Sequence, residues 1–124
     1  MADDFKPILY LKDGCPFCTR VLIYSLESGA LDDLEVKTFA AGSEEEAAIR
    51  GELDGKFDKV TFPAAQMSPG EYIKDTGVII GRLADTTGKN PDDLPVTSFY
   101  TAGPFAAIGK LFRENMELKK QLEA

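Results

Sequence analysis

The sequence predicts an α/β domain: a mixed four-stranded sheet flanked by helices, with one extra helix at its C-terminal end. Three observations predict it. A continuous apolar run at residues 7–11 is followed by a Gly-containing turn and an amphipathic run at residues 19–26. A segment of period two, residues 34–39, comes next, at a distance that fits a right-handed parallel crossover. Further on, two short strand-like segments flank Ser68-Pro69-Gly70, the punctuation of a hairpin.

Taken in order, residues 7–11 are apolar throughout, as in a strand buried on both faces. Asp13-Gly14 supplies a turn, and Pro16 fits the first turn of a helix, where a missing N–H leaves nothing unpaired. That helix is expected from Pro16 to Ser28, with Val21, Leu22, Ile23 and Leu26 available to the core and Gly29 beyond its end. The second strand is residues 34–39. Ser43 and Glu46 form a capping box for a second helix that reaches Leu53, and Glu44, Glu45 and Glu46 suit its positive dipole end. Thr61-Phe62-Pro63 opens the hairpin, with proline at a strand start, where it is tolerated. Asp75-Thr76 caps a third helix whose apolar residues are Val78, Ile79, Ile80 and Leu83. Gly77 and Gly81 in that helix suggest close packing on the sheet. Residues 88–95 are loop by composition. A last helix is predicted from Pro104 toward Leu122, with an apolar stripe through Phe105, Ile108, Leu111, Phe112, Met116, Leu118 and Leu122. The stripe is wider than a two-stranded seam, which predicts docking on the domain ahead of a coiled coil. The division is therefore residues 1–88 as the domain, 89–103 as a linker loop, and 104–124 as a helix packed on the domain or on a partner.

The chain has 124 residues and a net charge of −7, with 44% hydrophobic residues. One compact domain fits that length. The acidic balance argues against nucleic acid or an anionic membrane surface as partner. Met1-Ala2-Asp3-Asp4 lacks the basic and apolar regions of a secretory leader, and two cysteines without a framework of others fit a reducing compartment. A cytoplasmic location is the expectation.

The chemistry centres on Cys15 and Cys18, the only cysteines. Cys15 falls at a helix N-terminus, where unpaired N–H groups and the dipole stabilise a thiolate, and Lys12 adds positive charge. Cys18 lies about one turn further in, able to close a short disulfide with Cys15. Zinc needs about four ligands, and the chain has no His and no third Cys. A structural disulfide between residues so close in sequence would constrain little of the unfolded chain. Two inert core thiols are the remaining alternative. The strand–turn–helix context favours redox chemistry.

Residues 10–18, Tyr-Leu-Lys-Asp-Gly-Cys-Pro-Phe-Cys, resemble the active-site segment of glutaredoxins, Tyr-x-Lys-x-x-Cys-Pro-Tyr/Phe-Cys. They depart from thioredoxins, which carry Trp-Cys-Gly-Pro-Cys. Thr61-Phe62-Pro63 looks like the family's Thr-Val-Pro with its cis proline, and Asp75-Thr76 like its acidic pair. The order β-α-β-α-β-β-α is that of the thioredoxin fold, and the resemblance covers residues 7–87. Phe17 stands where the family often has Tyr, and Gly-Gly is missing before Asp75. Residues 70–80 look closer to the N-terminal domain of glutathione transferases.

The resemblance implies a glutathione-dependent thiol–disulfide oxidoreductase. Cys15 would attack and Cys18 resolve. Lys12, Phe17, Thr61, Phe62, Pro63, Asp75 and Thr76 would hold glutathione. Asp75 suits its ammonium, Thr76 its γ-glutamyl carboxylate, the Phe62 backbone its peptide part, and Lys12 or Lys59 its glycine carboxylate. No tightly bound cofactor or metal is implied, and glutathione serves as cosubstrate. Disulfide-containing or glutathionylated proteins are the implied partners, and a homodimer is compatible. Three other classes remain open: a transferase-like enzyme acting on small electrophiles, a module ligating an iron–sulfur cluster with glutathione, and an interaction protein using the C-terminal stripe. Turnover of an aryl halide, visible absorbance, and association through the last helix would separate them.

Overall fold

The computed structural model describes residues 5–123, so the reading of Met1-Ala2-Asp3-Asp4 lies outside the described residues. Four strands, β1 (Ile8–Lys12), β2 (Glu35–Phe39), β3 (Ala64–Ser68) and β4 (Glu71–Lys74), form one sheet in the order β2-β1-β3-β4. β1 pairs with β2 in parallel and with β3 antiparallel, and β3 pairs antiparallel with β4. The helices are α1 (Pro16–Ser28), α2 (Glu44–Leu53), α3 (Thr76–Thr87), α4 (Pro95–Tyr100) and α5 (Ala106–Glu123). This is a thioredoxin-like fold. Among the described residues no helix is long and apolar enough to cross a membrane.

The alternation of side chains along β1 divides the core into two halves. Leu9 and Leu11 face α1 and α3, packing with Val21, Tyr24, Ile79 and Leu83. Tyr10 points to the other face and packs with Phe39, Ile49, Leu53 and Ala64 beside α2. The apolar run at the start of the chain is therefore a central strand with both faces covered. The strand expected to open at residue 61 begins at Ala64, with Pro63 buried just before it and the Phe62–Pro63 peptide cis.

Several local expectations are altered by packing. The buried arc of α1 is Cys18, Val21, Tyr24 and Ser25, whereas Leu22 and Leu26 are exposed. At about 100° per residue, Leu26 lies on the solvent side of that arc. Tyr24 takes the interior position because its hydroxyl has a partner there, donating to the Lys89 carbonyl at 2.6 Å. In the α2 cap, Ser43 Oγ accepts the Glu46 N–H at 3.2 Å as expected. The Glu46 carboxylate reaches one residue further back than a capping box requires, accepting the Gly42 N–H at 2.7 Å. Gly77 and Gly81 do not mediate close packing. Both are exposed, and a Cβ at either would meet nothing.

The largest departure lies after Gly88. The expected linker loop at 89–103 is helical from Pro95. α4 packs on α1, and its N-terminus is capped from a distance by Glu27 of α1. That carboxylate accepts the Val96 N–H at 2.8 Å and both the N–H and the hydroxyl of Thr97 at 2.7 Å. A π-turn, Thr101–Phe105, joins α4 to α5 and accommodates Pro104. The final helix is thus the end of a longer helical run. The start of its stripe meets the domain, Phe105 lying against Phe17, whereas Leu111, Leu118 and Leu122 are 63%, 57% and 86% exposed.

Burial acts to raise the Glu27 pKa, but the three hydrogen bonds from Val96 and Thr97 outweigh it and hold the carboxyl below 4.5. The stability it contributes is therefore present above pH 4.5 and lost as pH falls through the lowered value. Glu27→Gln should melt at a lower temperature than the parent near neutral pH, and the difference should shrink as pH falls below 4.5. Parallel melting curves across that range check it.

Candidate active site

The β1–α1 junction is built to present two sulfurs. The Asp13 N–H donates to the Phe39 carbonyl at 2.9 Å and the Cys15 N–H to the Lys12 carbonyl at 3.3 Å, closing a tight turn. Gly14 at its apex has φ +75°, which a residue with a Cβ adopts only under strain. Cys15 is the N-cap of α1, and its Sγ accepts the Cys18 N–H at 3.5 Å, where a Ser or Asp oxygen usually caps. Thr19 Oγ1 donates to the Cys15 carbonyl at 2.9 Å and fixes the cap residue's backbone. Cys18 is 2% exposed, and its Sγ accepts the Lys12 N–H at 3.3 Å. Both cysteines are free thiols.

This geometry separates the two thiols electrostatically. A hydrogen bond from the Cys18 thiol is the largest influence on Cys15. Burial opposes it, while the N–H groups of Cys18 and Phe17 and the charge of Lys12 add to it. The result is a Cys15 pKa lowered from 9.0 to about 6. The same hydrogen bond, and then burial, push the Cys18 thiol up. At neutral pH Cys15 is mostly thiolate and Cys18 holds the proton.

Of the residues singled out from sequence, the structure brings Lys12, Cys15, Phe17, Cys18 and Thr76 together. Thr76 is buried, and its hydroxyl donates to the Phe17 carbonyl at 3.4 Å, tying the start of α3 to the start of α1. Its side chain is thus a strut between helices. Phe62 packs against both halves of the core, its ring edge-on to Phe39 at 4.7 Å and under the Arg50 guanidinium at 5.2 Å. It lies outside the strand ladders, which begin at Ala64, so its N–H and C=O are not committed to strand pairing. Asp75 is the N-cap of α3 but does not cap it through its side chain. It is exposed and holds φ +76°, a region a non-glycine residue seldom occupies. Thr61 is half-buried just ahead of this pair, and Lys59 is exposed, offering its carbonyl to Lys74 Nζ at 2.9 Å.

The sequence reading missed the C-terminal segment's part in the site. A cleft of about 490 Å³ opens beside Cys15, with Lys12, Cys15 and Phe17 on one side and Phe105, Ile108 and Phe112 on the other. Thr61, Phe62, Pro63 and Asp75 do not line it. Phe17 meets Phe105 edge-on at 5.2 Å, and the Arg20 guanidinium lies over the Phe105 ring at 5.2 Å. The Tyr100 hydroxyl donates to the Pro16 carbonyl at 2.9 Å, so the end of α4 clamps the first turn of α1. The apolar stripe was the signal that could have found this wall. Its separation of some ninety residues from Cys15 hid the partner.

The thiolate absorbance of reduced protein should titrate with a midpoint near 6, and a thiol alkylator at mildly acidic pH should modify Cys15 before Cys18. Cys18→Ala removes the main donor to the sulfur and should move the midpoint upward, toward 9.0. A midpoint unmoved by that substitution would contradict the assigned cause.

Searches against protein-family models and curated proteins matched nothing, so the site stands on its own geometry.

Proposed function

We propose that the chain is a glutathione-dependent thiol–disulfide oxidoreductase of the reducing cytoplasm, of the glutaredoxin kind. The observation that carries this reading is the asymmetric thiol pair: an accessible Cys15 lowered to about 6, beside a buried Cys18 that keeps its proton. An attacking thiol with a pKa near the ambient pH is close to the optimum for exchange, and a low pKa also makes Cys15 a good leaving group. The Cys15 thiolate attacks the glutathione sulfur of a mixed disulfide. The old S–S bond breaks, a Cys15–glutathione disulfide forms, and the protein thiolate leaves and takes a proton. A second glutathione thiolate then displaces Cys15, giving glutathione disulfide. With a protein disulfide, Cys15 first forms a mixed disulfide with it. Cys18 then loses its proton and attacks the Cys15 sulfur, releasing the dithiol product and leaving a Cys15–Cys18 disulfide, which two glutathione thiols reduce to give glutathione disulfide.

Glutathione recognition is supported by residues on the α3 side of Cys15. The uncommitted Phe62 backbone suits a peptide-like ligand, which can pair there as an added strand. The exposed Asp75 carboxylate, held in a rarely used backbone conformation and not capping its own helix, suits the γ-glutamyl ammonium. Lys12 suits a carboxylate close to the sulfur. The apolar cleft walled by Phe105 and Phe112 favours a second reading, attack of Cys15 on a small apolar electrophile, which turnover of an aryl halide would test.

A glutathione-coupled reduction assay tests the proposal. Cys15→Ser should abolish turnover. Cys18→Ser should retain deglutathionylation and lose reduction of protein disulfides. Absence of glutathione-dependent turnover in the parent overturns the reading. Asp75→Ala should raise the glutathione requirement roughly tenfold, the effect of losing one charge-assisted hydrogen bond, and leave the thiolate midpoint in place.

A further inference from the structure

The helix α5 carries two apolar faces, and only one belongs to the cleft. At about 100° per residue, Phe105, Gly109, Phe112 and Arg113 share the face turned toward Cys15. Leu111, Asn115, Leu118 and Leu122 lie on a second face, roughly a quarter-turn or more around, with Ile108 at the edge between the two. Every residue of this second face is exposed, and none of the described residues covers it.

We propose that this face pairs two copies of the chain as a short parallel two-stranded coiled coil. Ile108, Asn115 and Leu122 fall at the a positions of a heptad pattern, and Leu111 and Leu118 at d. Ile at a with Leu at d favours two strands, and a single Asn at a fixes parallel register, because each amide finds its partner in the same layer. In an antiparallel pair Asn115 would face leucine. The flanking charges are self-complementary. Glu114 is a g position and Lys119 the e position five residues on, so each Glu114 meets the other copy's Lys119. An isologous contact demands such self-complementarity, and a foreign helix would not require it. The segment is also nearly charge-balanced: Lys110, Arg113, Lys119 and Lys120 stand against Glu114, Glu117 and Glu123, in a chain of net charge −7.

The seam, residues 108–122, is only about 22 Å long. Its helix is already ordered through α4 and the Glu27 cap, so association does not bear the cost of forming it. The dimer is therefore concentration-dependent, with both Cys15 clefts at the same end of the seam. This inference does not depend on the redox reading of the cysteines.

Sedimentation equilibrium of the reduced full chain, over a range of protein concentrations, tests it. The expected result is reversible association to twice the 13.5 kDa chain mass. Leu118→Asp should give a monomer, with circular dichroism and Cys15 labelling unchanged because Leu118 touches no core. Glu114→Lys should weaken association by roughly tenfold, and Glu114→Lys with Lys119→Glu should restore it. A parent that stays monomeric overturns the proposal, as does a dimer that survives Leu118→Asp. Failure of the charge swap to restore association overturns the parallel register.

Discussion

The sulfur of Cys15 caps helix α1, and the neighbouring side chains are placed by that requirement. A capping atom accepts the N–H of the second or third helical residue, and here that donor is Cys18. The chain therefore brings the second thiol within reach of the first by helix geometry alone. With Cys18 donating from below and Lys12 alongside, negative charge on Cys15 is favoured where α1 already favours it. The Lys12 N–H, which closes the end of β1, goes to the Cys18 sulfur, so strand, turn and helix share one hydrogen-bonded unit. Burial of Cys18 against Leu9, Leu11 and Val21 fixes the depth of that unit in the domain.

A second constraint acts through the C-terminal segment. Glu27 caps α4 from the far end of α1, while Tyr100 and Arg20 hold the other end of α4 and the π-turn to the start of α1. The two helices are tied at both ends. That tie aims α5 past Cys15 and turns a helix without buried side chains into one wall of a cleft. The fold proper supplies the thiolate, and the added helix supplies most of the apolar surface opposite it.

The site accordingly has two sides of different character. Toward α3 lie an uncommitted backbone at Phe62, a carboxylate at Asp75 and a helix start tied to Phe17 by Thr76. Toward α5 lie aromatic and aliphatic side chains with a cation at the rim. The first suits a polar, peptide-like group, and the second suits an apolar one.

The sequence by itself determined the elements whose signals are local. The apolar run of β1, Gly14 at the turn, Pro16 at the first helical position, the Ser43 cap and the Pro-Gly hairpin each act over a few residues, and the structure places each where periodicity and punctuation put it. The Cys15–Cys18 relation was legible for the same reason, since one helical turn sets it. Tertiary structure decided whatever depended on partners far along the chain. Periodicity alone could not choose Tyr24 over Leu26 for the core, because the choice rests on a carbonyl at Lys89. Residues 95–100 read as loop because their cap, Glu27, lies about seventy residues earlier. The stripe on α5 was visible, but which of its residues face Cys15 and which face outward was fixed only by the anchoring of α4. Hydrogen bonds and contacts between distant segments leave no local pattern in either segment, and here they shape half of the site.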